Sequence, residues 1–307
     1  MTYNRQLPAT IVSSLSDRDL AIKNVLHSAF SHAGQKCSAT SLLILEQEVY
    51  HDRGFRDALV DAVESLTVGS AWDLKTKMGP LIRRPTGDLA RGLKELEPGE
   101  TWAVMPRDLD DNPCLYSPGV KWDVGRGSFT HLTELFGPVL GVMPYRDLDE
   151  AMEIVHDTGF GLTSGLESLD DREQKRWTSR LQAGNLYLNR PTTGAIVLRQ
   201  PFGGMGKIAF GPGIKAGGPN DVVPLMKFSD LRDEAVVRSV PTVEPPAAPE
   251  LRHCQRSGKT CTARRRLPHS PLDLICRRHS GLHCWRRSWI TTSSRSRRSS
   301  RITIRCV

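Results

Sequence analysis

Apolar positions along this chain fall into blocks of two kinds. Ile22, Val25, Leu26, Ala29 and Phe30 recur at helical spacing, which predicts a helix over 17–30, with Ser16 and Asp19 as a start signal. Short unbroken apolar runs predict buried strands at Thr10–Val12, Leu42–Glu46, from Gly137-Pro138 through Val142, and at Leu186–Leu188. Phe55, Leu59, Ala62, Val63 and Leu66 mark a second helix. Asp147 with Glu150 caps a third, bearing Leu148, Met152 and Val155, and a fourth spans 170–181. Residues 69–122, rich in Pro and Gly, read as loops with short strands, and Gly159 to Gly165 reads as a turn. Strands alternating with helices predict an α/β fold with a mostly parallel sheet, and no internal repeat is present.

Charge divides the chain in two. The net charge is +8. Residues 251–307 hold fifteen Lys and Arg against one acid, Asp273, a net of +14; the preceding 250 residues hold 27 basic and 33 acidic groups, a net of −6. A mildly acidic body therefore carries a basic tail, joined through the Pro-rich stretch PTVEPPAAPE. The tail is rich in Arg and Ser, lacks core-forming periodicity and is expected to be disordered. Two origins stay open: an evolved nucleic-acid-binding extension, or an out-of-frame translation. Five of the seven cysteines fall in the tail, at 254, 261, 276, 284 and 306. Their spacings match no common zinc set, although Cys276, His279, His283 and Cys284 could meet a metal fortuitously; no metal site is expected.

No run of eighteen apolar residues predicts a membrane span. The start, MTYNRQLPAT, lacks the apolar stretch of a signal peptide, so a cytoplasmic, reducing setting is expected. In such a setting a cysteine is catalytic or inert rather than disulfide-bonded.

The candidate chemistry lies at Gly34-Gln35-Lys36-Cys37-Ser38-Ala39. Cys37 sits between a Gly-containing turn and the strand from Leu42, so a rigid scaffold would hold its sulfur. Two readings of the residues stand: a small buried hydrophobe, or a nucleophile, which would need a positive field or nearby N–H groups to favour its thiolate.

The segment AFSHAGQKCSATSLLIL, with ELFGPVL at 134–140, GFGLTSGLESLD at 159–170 and NLYLNRPTTGAIVLRQPFGGMGKIAFGPGIKAGGPND at 185–221, resembles the aldehyde dehydrogenase superfamily. The likeness runs from about Ala9 to about Lys227 and is strongest to the enzymes oxidising L-glutamate γ-semialdehyde, including the dehydrogenase half of the bifunctional proline-utilisation flavoenzymes. It implies NAD as cofactor, a small aldehyde as substrate, and Cys37 as the nucleophile with its own N–H as an oxyanion donor. It implies Glu134 on a ribose hydroxyl of NAD and Phe136 beside the nicotinamide riboside. It also implies Ser38 and the N–H groups of Gly194 and Ala195 on the substrate α-carboxylate, with Phe202 against the aliphatic part.

The pattern breaks at the start. Where relatives carry the general-base Glu and the oxyanion-hole Asn, this chain reads MTYNRQLP, and no Glu precedes Glu46. The resemblance therefore implies 1–15 as a remnant of the cofactor domain, 16–205 as the catalytic domain, 206–235 as a bridging and oligomerisation segment, and 236–307 as linker and tail. It implies a homo-oligomer, or a separate chain supplying the cofactor domain, and no turnover by this chain alone. A non-catalytic interaction module with a nucleic-acid-binding tail is the alternative.

Overall fold

The computed structural model describes residues 7–109, 112–209, 215–218, 226–230 and 302–305. The chain divides into a unit over 1–225 and a unit over 226–307.

In the first unit the elements run, in chain order, β1 (Ala9–Val12), α1 (Arg18–Phe30), β2 (Leu42–Glu46), α2 (Gln47–His51), α3 (Arg53–Glu64), α4 (Gly87–Gly92), β3 (Thr101–Val104), β4 (Asp108–Leu109), β5 (Asn112–Tyr116), β6 (Gly119–Trp122), α5 (Phe129–Leu132), β7 (Val139–Tyr145), α6 (Leu148–Asp157), β8 (Phe160–Gly161), β9 (Thr163–Glu167), α7 (Asp171–Arg180), β10 (Asn185–Leu188) and β11 (Met205–Gly206). Seven strands form one sheet in the order β10-β9-β1-β2-β7-β6-β3. Every neighbouring pair in it is parallel except β3 with β6. The expected α/β fold with a mostly parallel sheet is the one observed.

The unbroken apolar strands follow from burial on both faces. Val12, Leu43, Leu45 and Val142 pack on one side with α1 and α3, around Val25, Phe30 and Leu59. Ile11, Leu42, Ile44 and Met143 pack on the other with α6 and α7, around Met152, Val155 and Trp177. Asp147 caps α6 as expected, its carboxylate accepting from the N–H groups of Asp149 and Glu150. The cap of α1 is Asp17 rather than Ser16: Asp17 Oδ1 accepts from Leu20 N at 3.0 Å.

One expectation needs correction. Residues 159–165 are not simply a turn; they include β8 and the first half of β9, and Thr163–Glu167 is buried throughout. Ala9–Val12 pairs in parallel with β2 on one side and β9 on the other, so this strand lies inside the seven-stranded sheet. β11 pairs with β8, and the Phe202–Ala216 bridge lies in the same unit.

The second unit contains β12 (Lys227–Asp230) and β13 (Ile302–Arg305), paired antiparallel. The stretch Ile302-Thr303-Ile304 has the β-branched character of a strand, which the expectation of a wholly disordered tail passed over. Residues 231–301, including the linker, the four candidate metal ligands and most of the tail, lie outside the described residues. Among the described residues, no helix is long and apolar enough to cross a membrane.

Candidate active site

Helix α1 ends at Phe30 and the backbone then takes three successive left-handed residues, His32, Ala33 and Gly34. The last of these has to be glycine. Its φ is 68°, and a Cβ there would meet the Gly137 carbonyl oxygen at 2.2 Å. This close approach locks the segment before Cys37 against the segment before β7. Gln35 strengthens the contact: its Nε2 donates to the Phe136 carbonyl at 3.2 Å, and its Oε1 accepts from Ile82 N at 2.9 Å.

Cys37 follows in a tight turn closed by Ala39 N donating to Lys36 O at 3.0 Å. Cys37 and Ser38 occupy the corner. The Cys37 side is exposed with a free thiol, whereas Ser38 is buried. The buried-hydrophobe reading of Cys37 is thereby excluded.

Cys37 and Ser38 line a cavity of about 340 Å³ together with Lys36, Gly194, Ala195, Ile196, Val197, Gln200, Phe202, Ala216 and Gly217. Most of this wall is apolar. Lys36 is the charged residue among those that line it. Gly194 has φ 95° and nothing within 4 Å of where a Cβ would stand, so its backbone faces open space. Tyr187, buried on β10, has its hydroxyl pushed above the ordinary tyrosine range, chiefly by burial, with smaller influences from Arg190, Gln200 and Cys37.

The far wall is tied to the sheet by Asn185 on β10. Its Nδ2 donates to Pro201 O at 2.8 Å and its Oδ1 accepts from Gly203 N at 3.2 Å, which brackets Phe202. Phe202 also exchanges backbone bonds with Ala216, at 2.7 and 2.9 Å.

Five of the seven sequence-predicted site residues therefore meet in one cavity: Cys37, Ser38, Gly194, Ala195 and Phe202. Glu134 and Phe136 lie outside its wall, on the segment between α5 and β7. Glu134 is half-buried, and Phe136 is 38% exposed with a left-handed backbone at φ 53°. Their link to the Cys37 turn runs through Gln35 and Gly34. Sequence reasoning missed Gln35 as the clamp between the two segments, although it stands in the quoted motif. It also missed Ser28, Thr40 and Thr192, whose positions share no pattern. Among the described residues, no group of three or more His, Cys, Asp or Glu could hold a metal.

Residues 8–227 match the model of the aldehyde dehydrogenase family. The chain belongs to that family. Its similarity to the 1-pyrroline-5-carboxylate dehydrogenase of Bacillus subtilis is 35% identity over 214 residues, covering 69% of this chain and 41% of that protein. Among solved structures, Proline Utilization A from Corynebacterium freiburgense aligns with a TM-score of 0.71 and 47% identity over 79% of this chain and 24% of that one. The 1-pyrroline-5-carboxylate dehydrogenase from Thermus with bound NAD aligns with a TM-score of 0.60 and 33% identity, over 66% of this chain and 39% of its own. The chain thus spans about two fifths of the length of the curated relatives it matches.

Proposed function

We propose that the body of this chain is the nucleophile- and substrate-holding part of an NAD-dependent dehydrogenase that oxidises L-glutamate γ-semialdehyde to glutamate, in the cytoplasm. One observation carries the reading: an exposed thiol shares a cavity with a buried serine and with a glycine-bearing backbone turn. Such a cavity suits a short aldehyde whose other end is an anion. The Cys37 thiolate attacks the carbonyl carbon, and the oxygen that gains charge is met by the Cys37 N–H, a type of contact worth about 10²–10³ in rate. The Ser38 hydroxyl and the N–H groups of Gly194 and Ala195 take the α-carboxylate, because adjacent backbone donors form an anion nest. The Phe202 ring lies along the methylenes.

NAD, when bound, supplies the hydride acceptor. The residues present fit its nicotinamide-riboside end, with Phe136 exposed on a segment clamped to the nucleophile turn and Glu134 toward the ribose. Hydrolysis of a thioester on Cys37 needs a general base to activate water. Capture of the aldehyde at Cys37 is the step that these residues carry.

The test is protection of Cys37 in the full chain against iodoacetamide, read by mass spectrometry at the Cys37 peptide. Glutamate γ-semialdehyde should protect at a concentration about tenfold or more below that needed with pentanal, which has the same length but no carboxylate, since a charge-assisted contact is worth about that much. Equal protection by the two aldehydes, or none by either, defeats the reading.

A further inference from the structure

Four buried hydroxyls that none of the site roles uses connect the two walls of the cavity. Thr192 Oγ1 donates to the Ser38 carbonyl at 2.8 Å, and its amide donates to Ser28 Oγ at 3.0 Å. Thr40 Oγ1 lies 3.2 Å from Thr192 Oγ1 and 2.9 Å from Thr10 Oγ1. Ser28 Oγ donates in turn to Asn24 O at 2.6 Å, and Ser28 O accepts from Thr40 N at 3.1 Å. Thr10, Ser28, Thr40 and Thr192 are each no more than 2% exposed.

Proton counting fixes the direction of the chain. A hydroxyl has one proton. Thr192 spends its proton on the Ser38 carbonyl, so it accepts from Thr40. Thr40 has then spent its own proton and accepts from Thr10. The order is Thr10 to Thr40 to Thr192 to the Ser38 carbonyl, each bond polarising the next. This chain starts on β1, crosses the stretch before β2, and ends on the turn that carries the thiol.

Its position gives it a consequence for specificity. Thr192 stands two residues before Gly194. One side chain therefore bonds the Cys37–Ser38 turn while its own backbone leads straight into the carboxylate nest. We propose that Thr192 is a positioning residue that sets the distance between the Cys37 sulfur and the Gly194–Ala195 amides, and thereby the length of ω-oxo acid the site accepts. This rests on the reading of the cavity as a carboxylate-bearing aldehyde site.

The test compares two alkylating agents on the full chain, ω-iodopentanoate and its neutral counterpart ω-iodopentanamide. Both have the three-carbon spacer of the semialdehyde. In each case a sulfur–carbon bond forms at Cys37, the carbon–iodine bond breaks, iodide leaves with the bonding pair, and the thiol proton goes to solvent. The ratio of the two rates, read at the Cys37 peptide, cancels general changes in thiol exposure. Wild type should favour the carboxylate about tenfold or more. Thr192→Val, which keeps the shape and removes the hydroxyl, should lower the ratio about fivefold, the worth of one ordinary hydrogen bond. Thr192→Ser should restore it. Thr40→Val removes the donor to Thr192 and the acceptor of Thr10 but keeps the Thr192 bond to the Ser38 carbonyl, and should give a smaller fall. A wild-type ratio near one sinks the underlying carboxylate reading. A wild-type preference that persists unchanged in both valine variants, or in whichever of them folds, overturns the role of Thr192 alone.

Discussion

Replacing Glu167 by Gln should stabilise this protein at alkaline pH and do little in mild acid. Glu167 ends β9, is 1% exposed, and accepts from Asn24 Nδ2 through both oxygens, at 3.1 and 3.0 Å. Burial raises its pKa from 4.5 to about 7, against the Asn24 bonds that lower it and with a further push from Asp17. Between those two values the folded state holds a proton that the unfolded state has released, so stability falls as pH rises. The stability associated with the protonated group is complete below 4.5 and is lost as pH passes through about 7. At 1.36 kcal/mol per decade, the full penalty is about 3 kcal/mol. At about pH 5 the same linkage gives only about 1 kcal/mol, so the gap between Glu167→Gln and wild type should widen by about 2.5 kcal/mol between about pH 5 and about pH 8.5. Urea denaturation followed by the emission of the buried Trp122 and Trp177 measures it at each pH. A difference that stays constant, within about 0.5 kcal/mol, across that range refutes the assignment of the penalty to Glu167.

Lys121→Met should cost about 3–5 kcal/mol, because it strips the ammonium that bonds Glu95 O, Glu100 Oε2 and Thr130 Oγ1 and leaves a fully buried Glu100 carboxylate without its cation. Adding Glu100→Leu to Lys121→Met should recover much of that loss; a double variant less stable than Lys121→Met in urea titration shows that the pair is not the cause. Gly34→Ala should cost at least about 2 kcal/mol, since it adds left-handed strain and a backbone collision with Gly137. The same change should alter the iodoacetamide rate at Cys37, and a variant as stable and as reactive as wild type removes the need for that close approach.

The parts of this molecule legible in its sequence were those governed by local pattern. The spacing around Val25 and Phe30 located α1, the run Leu42–Leu45 located β2, and Asp147 located the cap of α6. The segment 159–165 was misread because β9 is buried on both faces, so Thr163-Ser164-Gly165 shows neither alternation nor a greasy run, and flanking glycines suggested a turn. Strand β6 was hidden in the 69–122 stretch because its interior includes Lys121, a residue type that rarely lies inside. At the site, the quoted motifs contained all five cavity residues. The hydroxyl chain was invisible, since residues 10, 28, 40 and 192 come together only through the crossing of β1, α1 and two loops. The same holds for Asn24 and Glu167, 143 positions apart.

The sheet order has a consequence for how the protein is made. Of the seven strands in this sheet β1 leaves the ribosome before the others, and its neighbour β2 follows after some thirty residues, at Leu42 opposite Ala9. Its other edge waits for β9, where Ser164 lies opposite Ala9. At about 5–20 residues per second, that edge stands open for about 8–30 s during synthesis. Throughout the interval Ala9–Val12, wholly apolar but for Thr10, presents unpaired amides and carbonyls beside a half-built core. The nascent body is therefore most exposed to mispairing with its own copies on a polysome before Thr163–Glu167 emerges, and a holdase or slow-translation site would act most effectively in that window.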